Sequence, residues 1–228
     1  MSLDGPRLKP AREPATHLVV LCHGYGSDGN DLIGLAPHWR GLLPGAAFAS
    51  PNAPERCPGS PNGYQWFPLA RNDPGETLKG IEAAAPRLNA FIDAELARLQ
   101  LTGDRLALVG FSQGTMMSLH VGLRRDPQPA AIVGFSGLLV GGELLSRFDK
   151  APPVLLTHGD EDTVIPPQAL FMSANALAAL GVPVQWHLLN GLGHGIDPTS
   201  LALAGRFLAD AFSGRAPRTG PVPAVAGG

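Results

Sequence analysis

Six short apolar runs punctuate this chain, at residues 18–22, 46–50, 106–110, 131–135, 154–158 and 184–189. Each is bounded by Gly or Pro and is apolar on successive residues, as a strand covered on both faces must be. Between them lie segments of helical period. In residues 81–99, Ile81, Ala84, Ala85, Leu88, Phe91, Ile92, Leu96 and Leu99 recur at near-helical spacing, and Pro86 falls early enough in the segment for its missing N–H to cost little. Residues 113–124, 169–179 and 200–212 are further helix candidates. Strands alternating with helices build right-handed crossovers, so the expected fold is α/β, with a mostly parallel central sheet and helices on both faces.

The chain is 228 residues long, which suits one domain, here expected over residues 17–213. Residues 1–16 hold three prolines and read as an irregular lead-in; residues 214–228 are rich in Gly, Pro and Ala and read as a mobile tail. Hydrophobic residues make up 44% and charged residues 16%, enough apolar surface to fold without staples. A net charge of -2 without any basic run argues against a nucleic-acid partner. No apolar stretch reaches the roughly 18 residues of a membrane span, so no stable insertion is expected. The opening residues lack a basic region followed by an apolar one, so no signal peptide is read there and the expected compartment is the cytoplasm. Two cysteines, Cys22 and Cys57, stand in no metal or redox spacing and read as reduced structural thiols. No metal or other cofactor is expected.

The sharpest local signal is Gly110-Phe111-Ser112-Gln113-Gly114, which joins an apolar run to a helical segment. That is the context a nucleophile elbow G-x-S-x-G requires. A strand turning abruptly into a helix strains the backbone at Ser112, and side chains two residues to either side would collide. The helix that follows points its N-terminal N–H groups at the same spot. A serine nucleophile needs a base, and the base an acid, in the chain order Ser, acid, His. Beyond Ser112, the run 154–158 leads into Gly159-Asp160-Glu161-Asp162-Thr163-Val164-Ile165-Pro166. Residues two apart in an extended loop point alike, so spacing leaves Asp160 and Asp162 both open.

Of seven histidines, only His194 lies in a glycine-rich loop, Gly191-Leu192-Gly193-His194-Gly195, downstream of these acids. His187 sits inside a strand run, and His158 ends a strand and helps position the acidic turn. His17, His38 and His120 have no companion glycines. Leu21-Cys22-His23-Gly24-Tyr25-Gly26 closes the first run with a His-Gly-x-Gly turn that can supply an oxyanion donor. The expected donors are the N–H groups of Tyr25 and Gln113, with His23 bracing the loop.

On these residues the chain resembles the phospholipase/carboxylesterase branch of the α/β hydrolases, which includes the acyl-protein thioesterases. The likeness spans roughly residues 17–212 and rests on four segments: the turn at 21–26, Pro51-Asn52-Ala53-Pro54, the elbow at 110–114, and the acidic stretch at 158–166. It implies the α/β-hydrolase fold, and it implies that Asp162, which opens D-x-V-[VI]-P, is the acid. It likewise implies Gln113 as an oxyanion residue and makes a homodimer plausible. The family's aromatic pair lining the acyl site is matched by Trp66-Phe67, although here Gly63-Tyr64-Gln65 precedes it, and a core role for the pair stays open.

The expected activity is hydrolysis of short- to medium-chain acyl esters through a Ser112–His194–Asp162 triad. A thioesterase or lysophospholipase acting on longer acyl chains shares that triad. A non-catalytic binding protein on the same scaffold would instead show a broken one.

Overall fold

The computed structural model describes residues 2–69 and 73–216. In chain order its strands are β1 (Arg7–Leu8), β2 (His17–Cys22), β3 (Ala46–Ala49), β4 (Glu55–Arg56), β5 (Tyr64–Gln65), β6 (Leu106–Phe111), β7 (Ala131–Phe135), β8 (Val154–Gly159) and β9 (Val184–Leu189). Its helices are α1 (Gly29–Ile33), α2 (Ala36–Trp39), α3 (Pro74–Leu99), α4 (Gln113–Gly122), α5 (Gln168–Ala179) and α6 (Pro198–Phe212). Seven strands form one sheet in the order β1-β3-β2-β6-β7-β8-β9, and β4 and β5 form a separate small hairpin. Every pairing in the large sheet is parallel except that of β1 with β3.

Strand alternation splits the core into two layers. Leu18, Val20, Leu106, Leu108, Val154 and Leu156 face a layer built with Ile81, Leu88 and Ile92 of α3, Met117 of α4 and Leu177 of α5. Val19, Leu21, Ala107, Val109 and Leu155 face the other, with Leu32 of α1, Trp39 of α2 and Leu208 of α6. Ile81, Leu88 and Ile92 are wholly buried, and each contributes roughly 1.5–3 kcal/mol relative to exposure. A chain with runs apolar on both faces can satisfy them only between such layers.

Three expectations need correction. The lead-in is not wholly irregular, because Arg7 and Leu8 pair antiparallel with Ala49 and Phe48 of β3. The run 184–189 is not covered on both faces: β9 is the last strand of the sheet, and Trp186 and Leu188 stand about 39% exposed. The expected tail begins with three residues folded back on α6, where Arg215 N–H donates to Asp210 O at 2.8 Å and its guanidinium pairs with the Asp210 carboxylate at 2.7 Å. The rest of that segment, 217–228, lies outside the described residues.

The register fixes where function can sit. Cys22 of β2 pairs with Gly110 of β6, Phe111 with Phe135 of β7, and Gly159 of β8 with Leu189 of β9. The loops that follow β2, β6, β8 and β9 therefore leave the sheet along one side, the carboxyl edge, where open α/β sheets build their sites.

Candidate active site

Ser112 joins β6 to α4 with φ 54° and ψ −115°, a conformation an L residue adopts only under constraint. The constraints are visible around it. A Cβ at Gly110 would lie 2.2 Å from the Gly114 carbonyl carbon and oxygen, and one at Gly114 would lie 1.8 Å from Cys22 O. The two glycines let the helix start pass directly beneath the end of β2. Ser112 N–H donates to Phe135 O at 2.9 Å, and the Thr115 hydroxyl sits 2.8 Å from Gly110 O and 2.9 Å from Phe135 O. These bonds tie the turn to two strands. α4 opens with Gln113, whose N–H, in the first turn, has no intrahelical acceptor and lies beside Ser112.

Asp162 ends the turn after β8 with its side chain fully buried. Its Oδ1 accepts the N–H groups of Val164 and Ile165, each at 2.9 Å. Its Oδ2 accepts from His194 Nδ1 at 2.8 Å and lies 3.1 Å from His158 Nε2. Burial works against the charged carboxylate, but the bonds from His194, Ile165 and Val164 prevail and hold Asp162 below the ordinary carboxylate range. A carboxylate only accepts, so His194 carries a proton on Nδ1 and keeps Nε2 free of this bond. Asp160 serves differently. Its carboxylate accepts Gly191 N–H at 2.7 Å, and Glu161 N–H donates to Leu192 O at 3.0 Å, so the acidic loop grips the histidine loop. A Cβ at Gly159 would lie 1.9 Å from Leu192 O, which shows how closely the two loops pack.

The turn after β2 is held by His23, which is fully buried. Its Nε2 accepts Ala53 N–H at 2.9 Å, leaving the proton on Nδ1 to donate to Gly24 O at 2.7 Å. Burial keeps this ring neutral by lowering its pKa. Asn52 Oδ1 accepts Gly29 N–H at 2.9 Å, so the Pro51–Pro54 segment braces both ends of the loop carrying Tyr25. Cys22, one residue before, is a free thiol whose pKa burial pushes up to about 12, which leaves it inert.

These loops surround a cavity of about 590 Å³. Tyr25, Ser112, Gln113 and His194 give it a polar floor, and Phe67, Leu69, Phe111, Met116, Val164 and Ile165 give it apolar walls. The aromatic pair divides. Phe67 lines the cavity, whereas Trp66 is 1% exposed and packs behind the wall, its indole N–H donating to His23 O at 2.9 Å. Trp66 is thus core rather than a substrate contact. The bulk of an indole with one N–H suits a buried brace whose single donor finds a carbonyl.

Two contributions had no counterpart in the sequence reading, and a third goes further than it. The Gln113 side chain bonds Trp66 N–H through Oε1 and Phe67 O through Nε2. The Phe111 ring packs 4.9 Å from the His194 ring. His158, expected to help position the acidic turn, stands 3.1 Å from the Asp162 carboxylate itself. Among the described residues no cluster of His, Cys, Asp and Glu is suited to hold a metal ion, and no helix is long and apolar enough to cross a membrane.

Residues 3–211 match the family model described as phospholipase/carboxylesterase. The chain belongs to the phospholipase/carboxylesterase family. Membership makes it a carboxylic ester hydrolase of the serine-hydrolase type. Its fold is that of a crystal structure of esterase PE8, with a TM-score of 0.86 and 43% identity over 92% of this chain and 100% of that one. The acyl-protein thioesterase 1 of Schizosaccharomyces pombe is 34% identical over 71% of this chain and 74% of its own length. Esterase YpfH of Escherichia coli is 29% identical, covering 84% and 82% respectively.

Proposed function

We propose that the chain is a serine carboxylesterase hydrolysing short- to medium-chain acyl esters through an acyl-enzyme on Ser112. The observation that carries this reading is the strained Ser112 on the floor of an apolar-walled cavity that His194, bonded to buried Asp162, also lines. His194 Nε2 takes the Ser112 proton as Oγ attacks the acyl carbonyl. The Tyr25 and Gln113 N–H groups receive the oxyanion, helped by the N-terminal end of α4. The imidazolium, steadied by Asp162, then protonates the departing alcohol, and a water repeats the sequence to free the acid. At about 590 Å³ the cavity falls within the usual range for a small-molecule site, roughly 300–1,000 Å³. Acyl chains up to medium length suit that size.

A second reading, hydrolysis of longer acyl thioesters on proteins, draws on the relative named acyl-protein thioesterase 1. A panel of oxygen and thiol esters of increasing acyl length separates the two. The ester reading expects turnover to peak at short or medium length, and a peak at long-chain thioesters overturns it in favour of the second. The serine is tested directly: a fluorophosphonate should label wild type at Ser112, and Ser112→Ala should lose turnover by a factor on the order of 10³ or more while staying folded. A variant keeping half the wild-type turnover would refute the nucleophile assignment.

A further inference from the structure

We infer that His158 is a positioning residue for hydrolysis. Its Nε2–H donates to Ile165 O while Nε2 itself stands 3.1 Å from the Asp162 oxygen that receives His194, fixing that carboxylate and limiting how strongly it draws a proton onto His194. The inference rests on the Ser112–His194–Asp162 reading above and adds a second imidazole to it.

His158 is the penultimate residue of β8 and is 1% exposed. Its Nε2 lies 2.8 Å from Ile165 O and 3.1 Å from Asp162 Oδ2. Ile165 O only accepts, so Nε2 carries the proton and donates it there, which leaves the polarised N–H group beside Asp162 Oδ2. Nδ1 is buried and has no hydrogen-bond partner. Packing alone does not call for an imidazole here, because an apolar side chain of similar size would fill the space without stranding a ring nitrogen. The one polar atom of this ring with a partner also stands beside the acid, and Ile165, which accepts from it, donates its own N–H to Asp162 Oδ1 at 2.9 Å.

The consequence follows from the charge on Oδ2. The negative charge of that oxygen faces both the His194 N–H, which bonds it at 2.8 Å, and the polarised Nε2–H group of His158, whose nitrogen lies 3.1 Å away. With His158 removed, more of that charge faces His194 and the imidazolium form is favoured, so acylation, which needs the neutral base, starts at higher pH. The carboxylate also loses one of the contacts that set its plane, and the His194 ring that follows it is held less firmly.

Few other charges bear on the site. α5 carries no charged residue, and β9 contributes only His187, on the strand face opposite to that of Leu188, which pairs with His158. β7 and the loop after it, residues 131–140, hold none. Asp160 and Glu161, the neighbours in sequence, are exposed, and the Asp160 carboxylate is engaged with Gly191 N–H.

The test compares wild type with His158→Met, similar in bulk but without a donor, and His158→Gln, whose amide nitrogen can stand near the Nε2 position. The measurements are kcat and KM for an activated ester, the pH dependence of kcat/KM, and thermal denaturation to check folding. His158→Met should lower kcat on the order of tenfold with KM nearly unchanged. Its acid limb should move about half a pH unit upward. His158→Gln should recover most of kcat and return the limb toward the wild-type position.

A folded Met variant with unchanged kcat and limb overturns the inference. So does one that loses kcat while its limb stays put, since a merely structural role predicts that result. Should the Met variant fail to fold, His158→Asn, whose amide is too short to reach Oδ2, carries the same comparison against His158→Gln, with the same outcomes. A wild type that neither hydrolyses esters nor takes a fluorophosphonate overturns the triad reading and this inference together; an active wild type beside an unmoved variant overturns the inference alone.

Discussion

At Gln113 the backbone and the side chain serve different walls of one cavity. The N–H opens α4 beside Ser112, while the buried side-chain amide spans to Trp66 N–H at 3.1 Å and Phe67 O at 2.8 Å, pinning the aromatic wall to the elbow. Gln113→Leu keeps the backbone donor and discards both side-chain bonds. Two buried partners are left unsatisfied, at about 1–3 kcal/mol each, so chemical denaturation should show a loss of roughly 2–5 kcal/mol. Activity should fall chiefly through KM, about tenfold, because Phe67 is freed while Ser112 and its oxyanion donors stay in place. A loss confined to kcat would show that the amide supports the oxyanion turn instead. The sequence marks position 113 through the elbow motif. It could not show the partners of the amide, because they lie 46 and 47 residues away and depend on how the segment after β5 folds back. Sequence distance likewise hid the role of Trp66: an aromatic pair reads alike whether it faces substrate or core, and the burial of Trp66 and its bond to His23 O, 43 residues away, decide it.

Among the elements, the parallel strands were the most legible, because burial on both faces writes itself as continuous apolar runs, and β7 begins and ends where expected. Helix starts were less so. α3 opens at Pro74, a full turn and more before the apolar spacing begins at Ile81, because Asp73 caps it by accepting Gly75 and Glu76 N–H at 2.9 and 3.1 Å. Residues 75–80 are exposed or half-buried, none of them fully buried, and carry little periodic signal. α1 and α2 are too short for periodicity to register at all. The earlier start also relocates Pro86, which lies mid-helix rather than early, where it deprives Glu82 of its helical donor. Both residues are exposed, so water can serve that carbonyl and the helix tolerates the defect. Pro86→Ala should therefore stabilise the protein. The intrinsic helical gain of up to about 3 kcal/mol is partly offset by about 0.4–1 kcal/mol of added freedom in the unfolded chain. A rise of about 1–2 kcal/mol in denaturant unfolding, with kcat/KM unchanged, is expected. A destabilised variant would mean that the bend at Pro86 is needed for α3 to pack on the sheet.

For the molecule as a whole, burial of histidines couples folding to pH. His17, which stacks on Phe212 at 4.0 Å, and buried His120 are both lowered by burial to about 4, and burial also lowers His23 and His187. In the unfolded chain these rings titrate near 6.5. Between about pH 6.5 and 4 the unfolded state therefore binds more protons, so stability present above 6.5 is lost as pH falls through that window. The depressed carboxyls of Asp162 and Asp197 add a separate loss that begins only near their unfolded value of 3.8. A net charge of -2 near neutrality makes general repulsion a small contributor above pH 5. The midpoint of urea unfolding should hold steady from pH 8 to 7 and fall from pH 6.5 to 4.5, more shallowly than fully sheltered rings would give, because His17 and His187 are partly exposed. His120→Met removes one of these rings without removing a side-chain hydrogen bond, since Nδ1 has no partner. Its midpoint should fall less over the same window and match wild type most closely at acid pH, after any constant offset from repacking is subtracted. His23 adds a functional consequence: protonating Nε2 would abolish its bond from Ala53 N–H and loosen the turn that carries Tyr25. If urea midpoints stayed level from pH 7 to 4.5, these rings would have to accept protons as readily folded as unfolded, and the assignment of His23 as a neutral brace would fall with them.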